Sequence, residues 1–170
     1  LQVKKRTFLD EDINAFNNCE NYRKKLLNDV TEVSYEVFGE DRIALVKDIC
    51  KRASSSSKWC QFIYLIIKKH ESPFFLEIGT NLGVSGAYIL EALKSKKNSK
   101  FISMEGAPKL CEISSRQFSK ITGPEKFEIK QGLYKDTFPK LIKENLNFNI
   151  LFIDGNHKKE PTIHYFNLLK

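Results

Sequence analysis

From Phe74 onward, short apolar runs alternate with stretches of helical patterning, and this alternation restricts the fold more than any other feature of the chain. The apolar runs are Phe74 to Ile78, Phe101 to Glu105, Phe127 to Gln131 and Asn149 to Asp154. Helical periodicity falls at about Gly83 to Lys96, Pro108 to Phe118, Thr137 to Glu144 and from Glu160 on. Short strands separated by helices are the mark of βαβ units, whose right-handed crossovers build a parallel sheet covered on both faces. The expected fold class is therefore α/β, a doubly wound parallel sheet occupying residues 73–170.

Residues 1–72 have a different texture and read as a helical extension or cap. Asp10 or Asp12 can cap a helix running through Phe16 and Tyr22 to Leu27, and Glu40 or Asp41 can open a second through Leu45, Val46 and Ile49. The run Ser54 to Ser57 interrupts the pattern. After it Trp59, Phe62, Ile63, Ile66 and Ile67 recur at the spacing of one amphipathic face, and that helix ends in Lys68, Lys69 and His70 before Pro73.

A length of 170 residues suits one domain, and 41% hydrophobic residues with thirteen Phe supply a core. The longest apolar run, Phe62 to Ile67, is far short of the roughly 20 residues that span a bilayer, and no signal-peptide pattern shows, so no membrane association is expected. The chain begins at Leu1, which leaves room for residues upstream of it. The net charge of +7 comes from Lys scattered along the chain far more than from Arg, without the clustered stripes or bidentate Arg contacts of nucleic-acid readers. Nucleic acid is accordingly not an expected partner. Cys19, Cys50, Cys60 and Cys111 lack paired spacing and read as buried thiols of a cytoplasmic protein.

The stretch Phe74 to Ser85 runs from a strand through Gly79 and Gly83 into a helix. Such a turn brings backbone N–H groups and a helix N-terminus to a ligand. A dinucleotide fingerprint begun at Gly79 would need glycine where the chain has Asn81 and Val84, which disfavours pyrophosphate. Glu77, two residues before the first glycine, would repel phosphate and suits a cation. Glu105 ends the second strand, where a carboxylate meets ribose hydroxyls in the crevice of such a sheet. A nucleoside with a cationic tail, such as S-adenosylmethionine, matches both.

These residues carry a family resemblance. Glu77 to Ser85 is similar to motif I, and Phe101 to Gly106 to the acidic motif II, of the class I S-adenosylmethionine-dependent methyltransferases. Phe152-Ile153-Asp154-Gly155-Asn156-His157 resembles the fourth-strand motif of the O-methyltransferase branch related to catechol O-methyltransferase, and Lys58 to Ile67 resembles a covering helix of bacterial members. The resemblance implies a Rossmann-like sheet in the order 3-2-1-4. It implies a cofactor site in which Glu77, Gly79, Thr80, Asn81, Gly83 and Ser85 hold the methionine part, Glu105 and Gly106 the ribose, and Gly132 and Leu133, followed by Tyr134, the adenine side. The same resemblance implies that Asp154 borders both cofactor and acceptor.

Methyl transfer from a sulfonium is a direct displacement that asks mainly for alignment, together with removal of the acceptor's proton. Asp154 and His157 are the expected catalytic residues, with His157 at a position where relatives often carry a Lys base. In metal-dependent relatives the residue matching Asp154 is a ligand. Here Asn156 stands where many carry Asp, and the further ligands would come from a fifth strand that this sequence does not contain, so a divalent metal is possible but unsupported by this chain alone and no metal residue is assigned. His70 and His164 read as structural, and Lys158 and Lys159 as solvated.

The expected activity is O-methylation of a small-molecule hydroxyl, by a chain that could act as a homodimer. An NAD(P)-binding oxidoreductase and a non-catalytic nucleoside-binding protein of the same fold are the rival readings. The family's sheet has seven strands. With four, Ile150 to Ile153 would form a bare apolar edge, from which a longer chain covering that edge is expected.

Overall fold

The computed structural model describes residues 8–169. Helix α1 (Asp10–Leu26) is followed by a short antiparallel hairpin, β1 (Glu32–Ser34) and β2 (Ile43–Leu45), then by α2 (Val46–Ala53) and α3 (Ser57–Lys69). The hairpin departs from the all-helical reading of residues 1–72. Ile43, Ala44 and Leu45, expected to lie in a helix opened by Glu40 or Asp41, pair instead with Ser34, Val33 and Glu32. Gly39 makes the reversal in the left-handed region at φ +75°, and the β-branched Val33 and Ile43 suit the extended backbone on either side.

Two further differences concern helix ends and faces. Helix α1 starts at Asp10, and Asp12 acts from inside its first turn, its Oδ2 accepting the Leu9 N–H at 3.2 Å. In α3, Ser56 is the N-cap residue, its Oγ accepting from the Trp59 N–H at 3.4 Å. The buried stripe of α3 is Cys60, Ile63, Tyr64 and Ile67, while Trp59 and Phe62 are 47% and 50% exposed. The stripe is turned by about one residue because Tyr64 reaches α1, where its hydroxyl donates to Asp12 Oδ1 at 2.9 Å.

The sheet follows as β3 (Phe74–Ile78), β4 (Lys100–Glu105), β5 (Phe127–Gln131) and β6 (Ile150–Ile153), linked by α4 (Val84–Leu93), α5 (Pro108–Phe118) and α6 (Tyr134–Lys143) and closed by α7 (Lys159–Leu169). All pairings are parallel in the order β5-β4-β3-β6, which is the expected 3-2-1-4 arrangement of a Rossmann-like α/β fold. Among the described residues β6 pairs only with β3, and its four residues are half-buried.

One face of the sheet packs against α4 and α5, and α1 and α3 extend the same core by packing on α4. Rings of Phe75, Phe101, Phe118 and Phe127 meet edge to face along it, at centroid separations of 6.0, 5.7 and 5.4 Å. Helix α4 is buried along its whole length because α1 and α3 cover the side turned away from the sheet. The opposite face carries a smaller cluster in which Phe138 stacks on Tyr165 at 4.8 Å. The N-terminal helices are thus part of the main core, and Tyr22 of α1 donates its hydroxyl to the Leu82 carbonyl at 2.6 Å, inside the turn between β3 and α4.

Candidate functional site

A cavity of about 690 Å³ opens at the C-terminal ends of β3, β4 and β6, within the size range of small-molecule sites. Gly79, Thr80, Asn81, Ser85, Glu105, Gly106, Gly132, Leu133, Asp154 and His157, all expected from sequence, line it together. Two expected residues do not. Glu77 is fully buried behind the wall, and Gly83 lies outside the lining.

Glu77 ends up there because it points into the sheet's main core, where only hydroxyls meet it. Ser85 Oγ donates to its Oε1 at 2.5 Å and Ser103 Oγ to its Oε2 at 2.7 Å, while Ser103 also touches Thr80 Oγ1 at 2.5 Å. Burial pushes the Glu77 carboxyl up to about 8, with the two serine hydrogen bonds opposing the shift. Glu77 therefore reaches the cavity only through other side chains, directly through Ser85 and by way of Ser103 through Thr80.

The two glycines of the turn serve backbone packing. Gly79 has φ +105°, and a Cβ there would stand 2.8 Å from the Asp154 carbonyl oxygen, so the glycine lets β3 and the end of β6 come together. Gly83 is the N-cap residue of α4 at φ +70°, and a Cβ would stand 2.8 Å from Ser114 Cβ and Phe118 Cε1. Asn81, at φ +50°, takes the left-handed conformation a glycine would otherwise supply, and its own Oδ1 accepts the Leu82 N–H at 2.7 Å.

Glu105 closes the other side of the turn. Its Oε2 accepts the Asn81 N–H at 2.8 Å and its Oε1 the Ala107 N–H at 2.9 Å. Burial raises its carboxyl against these backbone hydrogen bonds. An ionised carboxylate offers about four acceptor positions, so roughly two remain for a ligand's hydroxyls. Glycine at 106 makes room for the hairpin: a Cβ there would stand 2.5 Å from Phe38 Cε1.

Asp154 follows β6, and Ser55 Oγ donates to its Oδ2 at 2.8 Å. Gly155 leaves space for the Tyr134 hydroxyl, and Asn156, at φ +49°, donates from Nδ2 to the Tyr165 hydroxyl at 3.2 Å. The amide at 156 therefore supports a left-handed turn and the α7 contact. His157 is exposed at the mouth. Of the oxygens near the end of β6, Asp154 Oδ2 accepts from Ser55 and Asn156 turns its Nδ2 to Tyr165, and among the described residues no three His, Cys, Asp or Glu converge.

The other wall of the cavity comes from segments that carry no recognisable motif. Ala53, Ser54 and Ser55 form one part of it, and Tyr35, Phe38 and Arg42 of the hairpin another, with the Arg42 guanidinium 3.8 Å above the Tyr35 ring. The serine run was the one signal pointing to this wall, since four small polar residues in a row break a helix where the chain passes the site.

A family model described as a methyltransferase domain matches residues 76–170, more than half of the chain. A catechol O-methyltransferase of Niastella koreensis is 28% identical over 107 residues, 62% of this chain and 47% of that protein. Among solved structures, an O-methyltransferase from Bacillus cereus in complex with SAH aligns over 98% of this chain and 62% of its own, at TM-score 0.64 and 16% identity. The O-methyltransferase TomG from Streptomyces achromogenes, involved in tomaymycin synthesis and in complex with SAM, aligns over 98% and 61%, at TM-score 0.61 and 17% identity. The chain thus spans about half the length of the curated relative and under two thirds of these two solved chains. Parallel order, turn geometry and the family match from within β3 to residue 170 agree, and the chain belongs to the methyltransferase-domain family.

Proposed function

We propose that this chain is an S-adenosylmethionine-dependent methyltransferase acting on a hydroxyl oxygen of a small molecule. The observation that carries the reading is one cavity holding Glu105 with two acceptor positions unspent and, at the neighbouring strand ends, Asp154 and His157. Family membership and the SAM and SAH bound to the solved relatives support it. When bound, the cofactor supplies an electrophilic methyl group on a sulfonium.

The protein's part is placement and proton removal. Glu105 accepts hydrogen bonds from a ribose diol, and its carboxylate, already tethered by two backbone N–H groups, needs no reorganisation to do so. Gly132 and Leu133 flank the base, and Gly79 to Asn81 line the amino-acid end, with Ser85 braced by Glu77. His157 takes the acceptor's proton and Asp154 orients the acceptor. In this reading residues 1–72 are a cap and residues 73–170 the cofactor-binding part. No helix among the described residues is long and apolar enough to cross a membrane, and four unpaired buried cysteines favour a reducing, cytoplasmic setting.

Titration calorimetry with S-adenosylhomocysteine tests the cofactor reading. Binding is expected, and Glu105→Gln, which keeps one acceptor but loses the charge, is expected to weaken it about tenfold. Absence of binding by the unaltered chain rejects the proposal. With catechol as acceptor, His157→Ala is expected to lower turnover by about a hundredfold while leaving cofactor affinity unchanged.

A further inference from the structure

The serine run does more than interrupt helical patterning. The loop between α2 and α3 passes beside β6, and Ser55 is held from both sides. Its carbonyl accepts from Arg23 Nη2 of α1 at 2.9 Å and lies 3.7 Å from the Cys60 thiol, while its hydroxyl donates to Asp154 Oδ2 at 2.8 Å. Arg23 is itself fixed, its Nε 3.1 Å from both carboxylate oxygens of Glu20. A second tie, from Asn81 Nδ2 to the Ala53 carbonyl at 3.4 Å, joins the same loop to the glycine turn.

We infer that Ser55 is a positioning residue for Asp154, through which the N-terminal cap sets the orientation of the carboxylate at the reactive end of the cavity. This rests on the reading of the cavity as a cofactor site. An Asp side chain at a strand end rotates freely about two bonds unless something holds it. One hydrogen bond from a fixed donor to Oδ2 selects a rotamer and leaves Oδ1 wholly available to a ligand. Ser55 suits the task because its backbone is anchored by Arg23 in a different element, so the donor does not follow the carboxylate when it moves. The contact joins residues 99 apart in the chain, which makes the cap part of the site and not only its cover.

Calorimetric titration of the whole chain with S-adenosylmethionine tests this with a double-mutant cycle. Ser55→Ala is expected to weaken binding about fivefold, the equivalent of one ordinary hydrogen bond. Ser55→Thr, which keeps the hydroxyl, is expected to restore affinity to within about twofold. In an Asp154→Ala background, Ser55→Ala is expected to have no further effect, because the group it positions is gone. Ser55→Ala binding like the unaltered chain, an equal loss in both backgrounds, or failure of threonine to rescue would each overturn the inference. Absence of binding by the unaltered chain removes the cofactor reading and this inference with it, whereas binding indifferent to Ser55 removes the inference alone.

Discussion

Ser85 Oγ donates to Glu77 Oε1 across 2.5 Å, so the acidic residue of the glycine turn is joined to the cavity by a serine eight positions along the chain. The carboxylate does not itself line the cavity. It braces the first turn of α4 from behind, in a core where its only polar partners are Ser85 and Ser103. Burial there has a thermodynamic consequence.

The Glu77 carboxyl titrates near 8 in the folded chain, against 4.5 for an ordinary glutamate. Below 4.5 it is protonated in both states and costs nothing. As pH rises from there towards 8, the unfolded chain ionises freely while the folded chain must keep the proton or bury a charge, so stability falls across that window. Glu105, also raised by burial, acts in the same direction. Urea unfolding at pH 5 and pH 8 is expected to show the chain losing stability with rising pH. Glu77→Gln is expected to remove roughly 3 kcal/mol of that loss, a few pKa units at 1.36 kcal/mol each. An unchanged slope in the variant would contradict the assignment.

Gly83 is required by packing. Alanine at this position faces the side chains of Ser114 and Phe118, both fully buried, and must hold φ +70°. Gly83→Ala is expected to cost about 2–4 kcal/mol, from left-handed strain together with overpacking. Gly39→Ala is the control, since φ is +75° there but nothing lies within 4 Å, and only the strain of about 1–2 kcal/mol applies. Urea midpoints of the two variants measure the difference. Because Gly83 does not line the cavity, affinity of the folded variant for S-adenosylhomocysteine should match that of the unaltered chain.

The turned face of α3 separates two apolar residues that periodicity treats alike. Ile63 is buried, so Ile63→Ala is expected to cost about 2–4 kcal/mol. Trp59 stacks on Phe62 at 5.3 Å and lies 6.3 Å from Phe152, but it remains half exposed, so Trp59→Ser is expected to cost no more than about 1 kcal/mol. Equal losses in thermal unfolding would place the buried stripe where the periodicity puts it.

The sheet was legible in the sequence because its signals are local. Phe74–Ile78 and Phe127–Gln131 are short apolar or alternating runs ended by turn residues, and Pro108 opens α5 in the first helical turn where its missing N–H costs nothing. Parallel order then follows from the helix between each pair of strands, and the residues at the strand ends, Glu105 and Asp154 among them, necessarily converge on one side. What only the tertiary structure decided depends on partners far away in the chain. Ile43 to Leu45 join a hairpin because Ser34, Val33 and Glu32 offer an edge, not because their own pattern asks for one. The stripe of α3 turns towards α1 because Tyr64 finds Asp12. Gly79 is glycine because the backbone of Asp154 runs beside it, and Ser55 belongs to the site because the chain returns to it 99 residues later. Periodicity and capping record which conformation a segment prefers by itself, whereas burial and side-chain hydrogen bonding are set by what the rest of the fold brings to it.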